Sequence, residues 1–123
     1  MMNFIDKLKN LDNTGFRKAK IDVTKYLHDE DYNGERDYVI LREMDASQNY
    51  DILMLDKKGE GFNGSLKMLA YCMIDESNNN LIDANDSVAL AEFGKLLNPR
   101  LAMFLIKECA ELNKVKADDL KKA

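Results

Sequence analysis

The sequence has few of the residues that usually carry metal-binding or nucleophilic chemistry. It contains one histidine, two cysteines, one proline and no tryptophan among 123 residues. Cys72 and Cys109 lie far apart in the chain, form no CxxC motif and have no histidine near them, so the sequence predicts two reduced core cysteines and no zinc site. His28 lies in an acidic segment without an adjacent serine or cysteine, so no catalytic triad can be assembled around it. These features favour a protein that is not an enzyme.

Excess positive charge and long apolar segments are also missing. The chain has 18 basic and 22 acidic residues, a net charge of −4. Nucleic-acid binding depends on a basic surface that neutralises phosphates, so the charge argues against a nucleic-acid partner. The longest apolar run, residues 68–74, is too short to cross a bilayer. Because no secretory signal opens the chain either, we expect a cytosolic protein without a membrane partner.

Glycines at 59, 61 and 64 reproduce the spacing of the GxGxxG dinucleotide-binding fingerprint. That fingerprint follows a strand, whereas residues 46–58 are predicted to be helical, and Glu60 would place a carboxylate where the phosphates lie. We therefore interpret residues 59–64 as a flexible connection between two helices and expect no cofactor.

What is present is the composition of one soluble domain. Apolar residues make up 46% of the chain and charged residues 33%, a balance typical of a folded protein. We expect a single domain over residues 1–123, with one core that needs neither metal nor disulfide. Its predicted class is α+β, an N-terminal β-hairpin followed by a bundle of about four α-helices.

The N-terminal segment, residues 1–16, is predicted to contain a short amphipathic helix. Apolar residues occur there at helical spacing: Phe4, Ile5, Leu8 and Leu11. This helix either folds back on its own core or packs on a neighbouring subunit, and periodicity does not decide between the two.

Residues 17–44 are predicted to form the β-hairpin. Apolar and polar residues alternate over 19–24, the period of a half-buried strand. Residues 38–41 are β-branched and aromatic, so they are the expected partner strand. A long acidic loop that contains Asn33 and Gly34 joins the two.

Residues 45–114 are predicted to form the helical part. The first helix covers 46–58, with Asp45 or Ser47 near its N-cap. Residues 66–74 are apolar on nearly every side, which is typical of a central, buried helix.

Two further helices complete that part. One is predicted to run from an N-cap at Asp83 to about residue 96. The other begins at Asn98 and Pro99, a cap followed by proline at the first helical position. Its apolar stripe consists of Leu101, Leu105, Cys109 and Leu112. Residues 115–123 are predicted to be a frayed tail.

Residues 75–86 resemble a calcium-binding EF-hand loop in the spacing of their oxygen-bearing side chains. The candidate ligands are Asp75, Ser77, Asn79, Asp83 and Asp86. Helices are expected on both sides, as the EF-hand requires. The usual glycine is replaced by Asn80, the usual glutamate by Asp86, and no second loop is present. Without calcium the same segment would form a turn followed by an N-cap.

Four segments carry a resemblance to a known family. They are FIDKL at 4–8, YVILREM at 38–44 just before a helix, LAYCMIDE at 69–76, and the helix from Asn98 and Pro99 to ELN at 111–113. The third is followed by an Asn-rich turn, Leu81 and Ile82, and then Asp86. Together these segments resemble the tail assembly chaperones of long-tailed bacteriophages and prophages.

The resemblance implies a non-enzymatic role in virion assembly. Such proteins bind the tape measure protein, keep it soluble and help to recruit tail tube subunits during viral tail assembly. They form homo-oligomers (dimers, rings or spirals), act in the host cell cytoplasm and are absent from the mature virion. In many members a translational frameshift appends a second domain, and Lys121 and Lys122 are compatible with a slippery sequence there. A small calcium-binding module is the alternative function.

A chaperone for a long helical client needs an adaptable apolar surface, which methionines can supply. Five are candidates: Met44, Met54, Met68, Met73 and Met103. Each of them could instead fill a gap in the core. The predicted self-association or client-binding residues are Phe4, Ile5, Leu8, Leu11, Met54 and Met103.

Overall fold

A computed structural model describes residues 3–11 and 15–114. The elements are α1 (Phe4–Leu11), β1 (Lys18–Asp22), α2 (Thr24–Leu27), β2 (Tyr38–Arg42), α3 (Ala46–Lys57), α4 (Gly61–Cys72), β3 (Met73–Ile74), α5 (Ser87–Leu96) and α6 (Pro99–Asn113). Antiparallel strands in the order β1-β2-β3 form the sheet, so the α+β class is confirmed. The predicted tail, residues 115–123, lies outside the described residues. No helix within the described ranges is long and apolar enough to cross a membrane.

The predicted hairpin is confirmed, and both of its ends are closed by polar contacts. Lys18 pairs with Arg42 and Asp22 with Tyr38. At one end the Arg17 guanidinium lies 2.8 Å from the Glu43 carboxylate. Between the strands, the short helix α2 was not predicted. Thr24, its first residue, is buried, and its hydroxyl accepts a hydrogen bond from the Asp37 amide at 2.6 Å.

Strand β3 corrects the prediction that residues 66–74 are helical throughout. Helix α4 ends at Cys72, and Met73 and Ile74 pair with Leu41 and Ile40 instead. The Asn80 side-chain amide donates to the Ala70 and Tyr71 carbonyls, both at 3.0 Å. Because this amide satisfies two carbonyls of the last helical turn, the chain can leave the helix there and add a strand to the sheet.

The predicted N-caps of α3 and α6 are confirmed, because both depend on local sequence alone. Asp45 and Gln48 form a reciprocal capping box at 2.8 and 3.1 Å. Asn98 accepts from the Leu101 amide at 2.8 Å, directly before Pro99.

The predicted N-cap at Asp83 is wrong. Helix α5 begins at Ser87, and the Asp86 carboxylate caps it by accepting from the Val88 and Ala89 amides. Asp83 accepts from the Asn85 amide at 2.9 Å instead, in a turn that precedes the helix. Both aspartates have a carboxylate that can cap a helix, and Asp86 is the one that caps α5.

The predicted flexible connection over residues 59–64 is also wrong, because α4 already begins at Gly61. Only Gly59 takes a left-handed conformation, with φ of 77°. Gly64 is buried, and a Cβ there would lie 3.5 Å from the Leu55 Cβ. An added Cβ at this position would thus make an ordinary van der Waals contact with α3.

The core lies between the sheet, α4 and α6. Four of its side chains are fully buried: Leu41, Leu69, Cys72 and Cys109. Both cysteines are free thiols, in agreement with the prediction. The contact with Cys72, together with burial, raises the pKa of the Cys109 thiol.

Asn113 connects α6 to the beginning of α3. Its side-chain oxygen accepts from the Met44 amide at 2.7 Å, and its amide donates to the Cys109 carbonyl at 2.7 Å. The same nitrogen lies 3.4 Å from the Cys72 sulfur. One half-buried amide thus satisfies backbone groups of two distant segments.

We expect Asn113→Ala to lower the free energy of unfolding by about 1–3 kcal/mol, because it leaves the Met44 amide without its acceptor. Urea unfolding at neutral pH measures the loss. Glu111→Ala, on the exposed side of the same helix, is the control and should stay within about 0.5 kcal/mol of wild type. Equal stability of the two variants would contradict the role given to Asn113.

Candidate interaction surface

Helix α1 is present as predicted, and none of its residues is buried. The exposed fractions of Phe4, Ile5, Leu8 and Leu11 are 70%, 54%, 46% and 43%. At its start the Asn3 side-chain oxygen accepts from the Asp6 amide at 2.9 Å, which begins the helix by a local cap. Of the two alternatives left open by periodicity, this exposure favours packing on another molecule over folding back on the core.

The five candidate methionines do not form one surface. Met44, Met68 and Met73 belong to the core. Met54 is half-buried on α3. Met103 is 67% exposed on α6, so it is the one of the five that is fully available for a partner.

A second apolar surface was not predicted. Between α3 and α4 lies a groove of about 190 Å³. We call it the α3–α4 groove; its lining residues are Ile52, Leu53, Asp56, Gly61, Gly64, Ser65 and Met68. Leu53 is 54% exposed at its rim. The sequence feature that indicates this surface is the run of apolar residues from 52 to 55. Four consecutive residues cannot all lie on one face of a helix, so Leu53 stays outside the contact with α4.

The acidic loop of the hairpin holds His28 in a fixed position. Its Nε2 lies 2.6 Å from the Asp37 carboxylate, and its ring stacks on Tyr32 at a centroid distance of 3.6 Å. The Tyr32 hydroxyl donates to the Glu35 carbonyl at 2.8 Å.

An open cleft of about 560 Å³ adjoins this loop. Its lining residues are Tyr26, Leu27, His28, Asp29, Asp31, Tyr32 and Arg100. No serine, threonine or cysteine is among these lining residues.

Asp22 is the most strongly perturbed carboxylate near this loop. It accepts from the Thr24 amide at 2.9 Å and from the Arg36 guanidinium at 2.8 and 3.0 Å. Hydrogen bonds from Thr24, followed by the contact with Arg36, lower the pKa of Asp22 to about 2. The carboxylate therefore ties the loop to the end of β1 in its charged form.

The predicted calcium loop is preceded by β3, so the expectation of helices on both sides is wrong. The Asp75 carboxylate accepts from the Ser77 and Asn79 amides at 2.8 and 3.0 Å. Asn78, with φ of 67°, takes the left-handed turn expected at Asn80.

The Asp75 carboxylate, one of the five candidate ligands, is thus engaged with the backbone of its own turn. Asp83 and Asp86 likewise accept from nearby amides. The described residues contain no group of three or more His, Cys, Asp or Glu side chains placed to hold a metal ion.

No protein-family model, curated protein or solved structure matches the chain.

The low pKa of Asp22 predicts a pH-dependent contribution to stability. Its folded pKa of about 2 lies below the value of about 4 of an unfolded aspartate. The contribution is therefore fully present above about pH 4 and is lost as the pH falls toward 2. We expect Asp22→Asn to be less stable than wild type at pH 7 and the difference to shrink between pH 4 and 2, as measured by urea midpoints.

Arg36→Met removes the hydrogen bonds from the guanidinium and keeps those from Thr24. We therefore expect it to lower the stability at pH 7 by less than Asp22→Asn does. A difference between wild type and Asp22→Asn that stays constant from pH 5 to 2 would contradict the assignment.

We expect no heat of binding when calcium is titrated into the protein up to millimolar concentration, because binding would have to displace the amide contacts of Asp75. Isothermal calorimetry is the measurement. A titration with micromolar affinity that Asp75→Ala abolishes would instead support the calcium-binding alternative.

Proposed function

We propose that this protein is a non-enzymatic chaperone of viral tail assembly that binds the tape measure protein of a long-tailed phage or prophage. The observation that carries the proposal is the exposure of large apolar side chains along helices. It is clearest on α1, where every apolar residue is exposed. The family resemblance in the sequence supplies the identity of the client.

Exposure of this kind extends beyond α1. Further large apolar residues at least half exposed are Leu27, Tyr50, Leu53, Phe62, Leu81, Val88, Leu96 and Met103. Scattered single apolar residues are ordinary on a protein surface, whereas several exposed apolar residues on one side of a helix are typical of an interaction site.

A long helical client suits such a surface. An amphipathic helix binds by laying its apolar stripe against apolar side chains of its partner. Met103 adds an unbranched, flexible side chain that adjusts to different client residues. The net charge of −4 gives the outer face of a coated client the charge that opposes aggregation.

The remaining parts of the proposal follow from the same role. The protein self-associates along the client, and the coated client recruits tail tube protein. This happens in the host cell cytoplasm, and the chaperone is not part of the mature virion. Repetition of weak contacts along one client multiplies their combined affinity.

Co-expression with the tape measure protein of the same phage or prophage tests the role. We expect the tape measure protein in the soluble fraction when the full chain is present, and in the pellet when it is absent. Met103→Ser should reduce the soluble share, because it removes an exposed apolar contact and leaves the core intact.

Lys107→Ser, which changes an exposed residue of the same helix without removing apolar surface, is the matched control and should behave as wild type. A tape measure protein whose solubility does not depend on the chain would overturn the proposal.

A further inference from the structure

Helix α1 is too short to be stable without a partner. It has eight residues, whereas isolated helices below about 12–15 residues are marginal in water. The described residues of its own chain bury none of its side chains. Stability of α1 therefore calls for an apolar surface that covers Phe4, Ile5 and Leu8.

The charges on α1 define what that surface must carry. At 100° per residue, Lys7 lies on one side of the apolar stripe and Lys9 on the other. Neither forms an ion pair with any residue in the described ranges. A complementary surface is an apolar groove with an acidic residue beside it.

The α3–α4 groove has both properties. Its lining is mainly apolar, and its one charged lining residue is Asp56, an exposed acid. An apolar cavity of about 150 Å³ holds a benzene ring, so a groove of about 190 Å³ is large enough for the ring of Phe4. Gly61 lines the groove, and a Cβ there would have no atom within 4 Å, so a larger side chain has room at this position.

We propose that α1 of one copy docks into the α3–α4 groove of a second copy, with Phe4 in the groove and a lysine of α1 facing Asp56. This inference deepens the self-association part of the proposed function and needs no client. The sheet order favours a second copy over the chain's own groove. Helix α1 leads into β1 at one edge of the sheet, whereas α4 leads into β3 at the other.

The contact joins two different surfaces, so each copy offers one helix and one groove. Such heterologous contacts either close into a ring or continue as an open chain. The mass of the assembly should therefore rise with concentration until the ring closes.

Light scattering behind a sizing column, on the purified full chain, tests the docking. We expect wild type to exceed the monomer mass of 14.1 kDa. The helix variant, Phe4→Ser with Leu8→Ser, should be monomeric, as should deletion of residues 1–12. Gly61→Leu should also be monomeric, because the new side chain occupies the groove.

The variants are chosen to keep the fold. Phe4 and Leu8 are exposed, and Gly61→Leu enters open space and improves helix propensity. Leu53→Asp, at the exposed rim, is an independent groove variant with the same expected loss. Leu96→Ser removes an 83% exposed apolar residue outside the groove and should keep the wild-type mass. Circular dichroism checks that each variant is folded.

Mixing two association-deficient variants gives the decisive result. The helix variant retains its groove, and Gly61→Leu retains α1, so an equimolar mixture should form a dimer with one copy of each and nothing larger. A monomeric wild type, a helix or groove variant that keeps the wild-type mass, or a mixture that stays monomeric would overturn the docking. This experiment contains no client, so such a result would contradict the docking and leave the tape measure proposal standing. Conversely, a tape measure protein that stays insoluble in the co-expression test would contradict the proposed function and leave the docking standing.

Discussion

The structure depends on the packing of α4 against the sheet and α6. Leu69 and Cys72 of α4 meet Leu41 of β2 and Cys109 of α6, and all four side chains are fully buried. Helix α3 covers another side of α4 and α5 contacts it as well. Because neighbours surround it, α4 is apolar on nearly every side, whereas the outer helices need only one apolar face. Loss of this central contact would separate the hairpin from the helices.

Three asparagines hold the connections around that core. Asn80 satisfies the last carbonyls of α4, Asn113 joins α6 to the Met44 amide, and Asn98 donates to the Tyr26 carbonyl at 3.1 Å. Each is a side-chain amide that pairs with backbone groups of a distant segment. Buried or half-buried backbone groups need such partners.

The conspicuous polar features are used internally: His28 with Asp37, Asp22 with Arg36, and Asp75 with the amides of its own turn. The apolar features that stay exposed are Phe4, Ile5 and Leu8 of α1 and the rim of the α3–α4 groove. In the proposed docking these two features of one small chain supply both parts of a repeating contact.

The sequence alone determined the features that depend on interactions between residues close together in the chain. Periodicity and cap residues predicted α1, the hairpin, and the starts of α3 and α6, because a cap at Asp45 or Asn98 needs only residues three positions away. Tertiary structure decided the rest. Met73 and Ile74 form a strand because Leu41 and Ile40 of β2 pair with them. The burial of each methionine and the position of the groove between two helices depend on side chains far away in the chain. A local sequence pattern contains no information about those side chains.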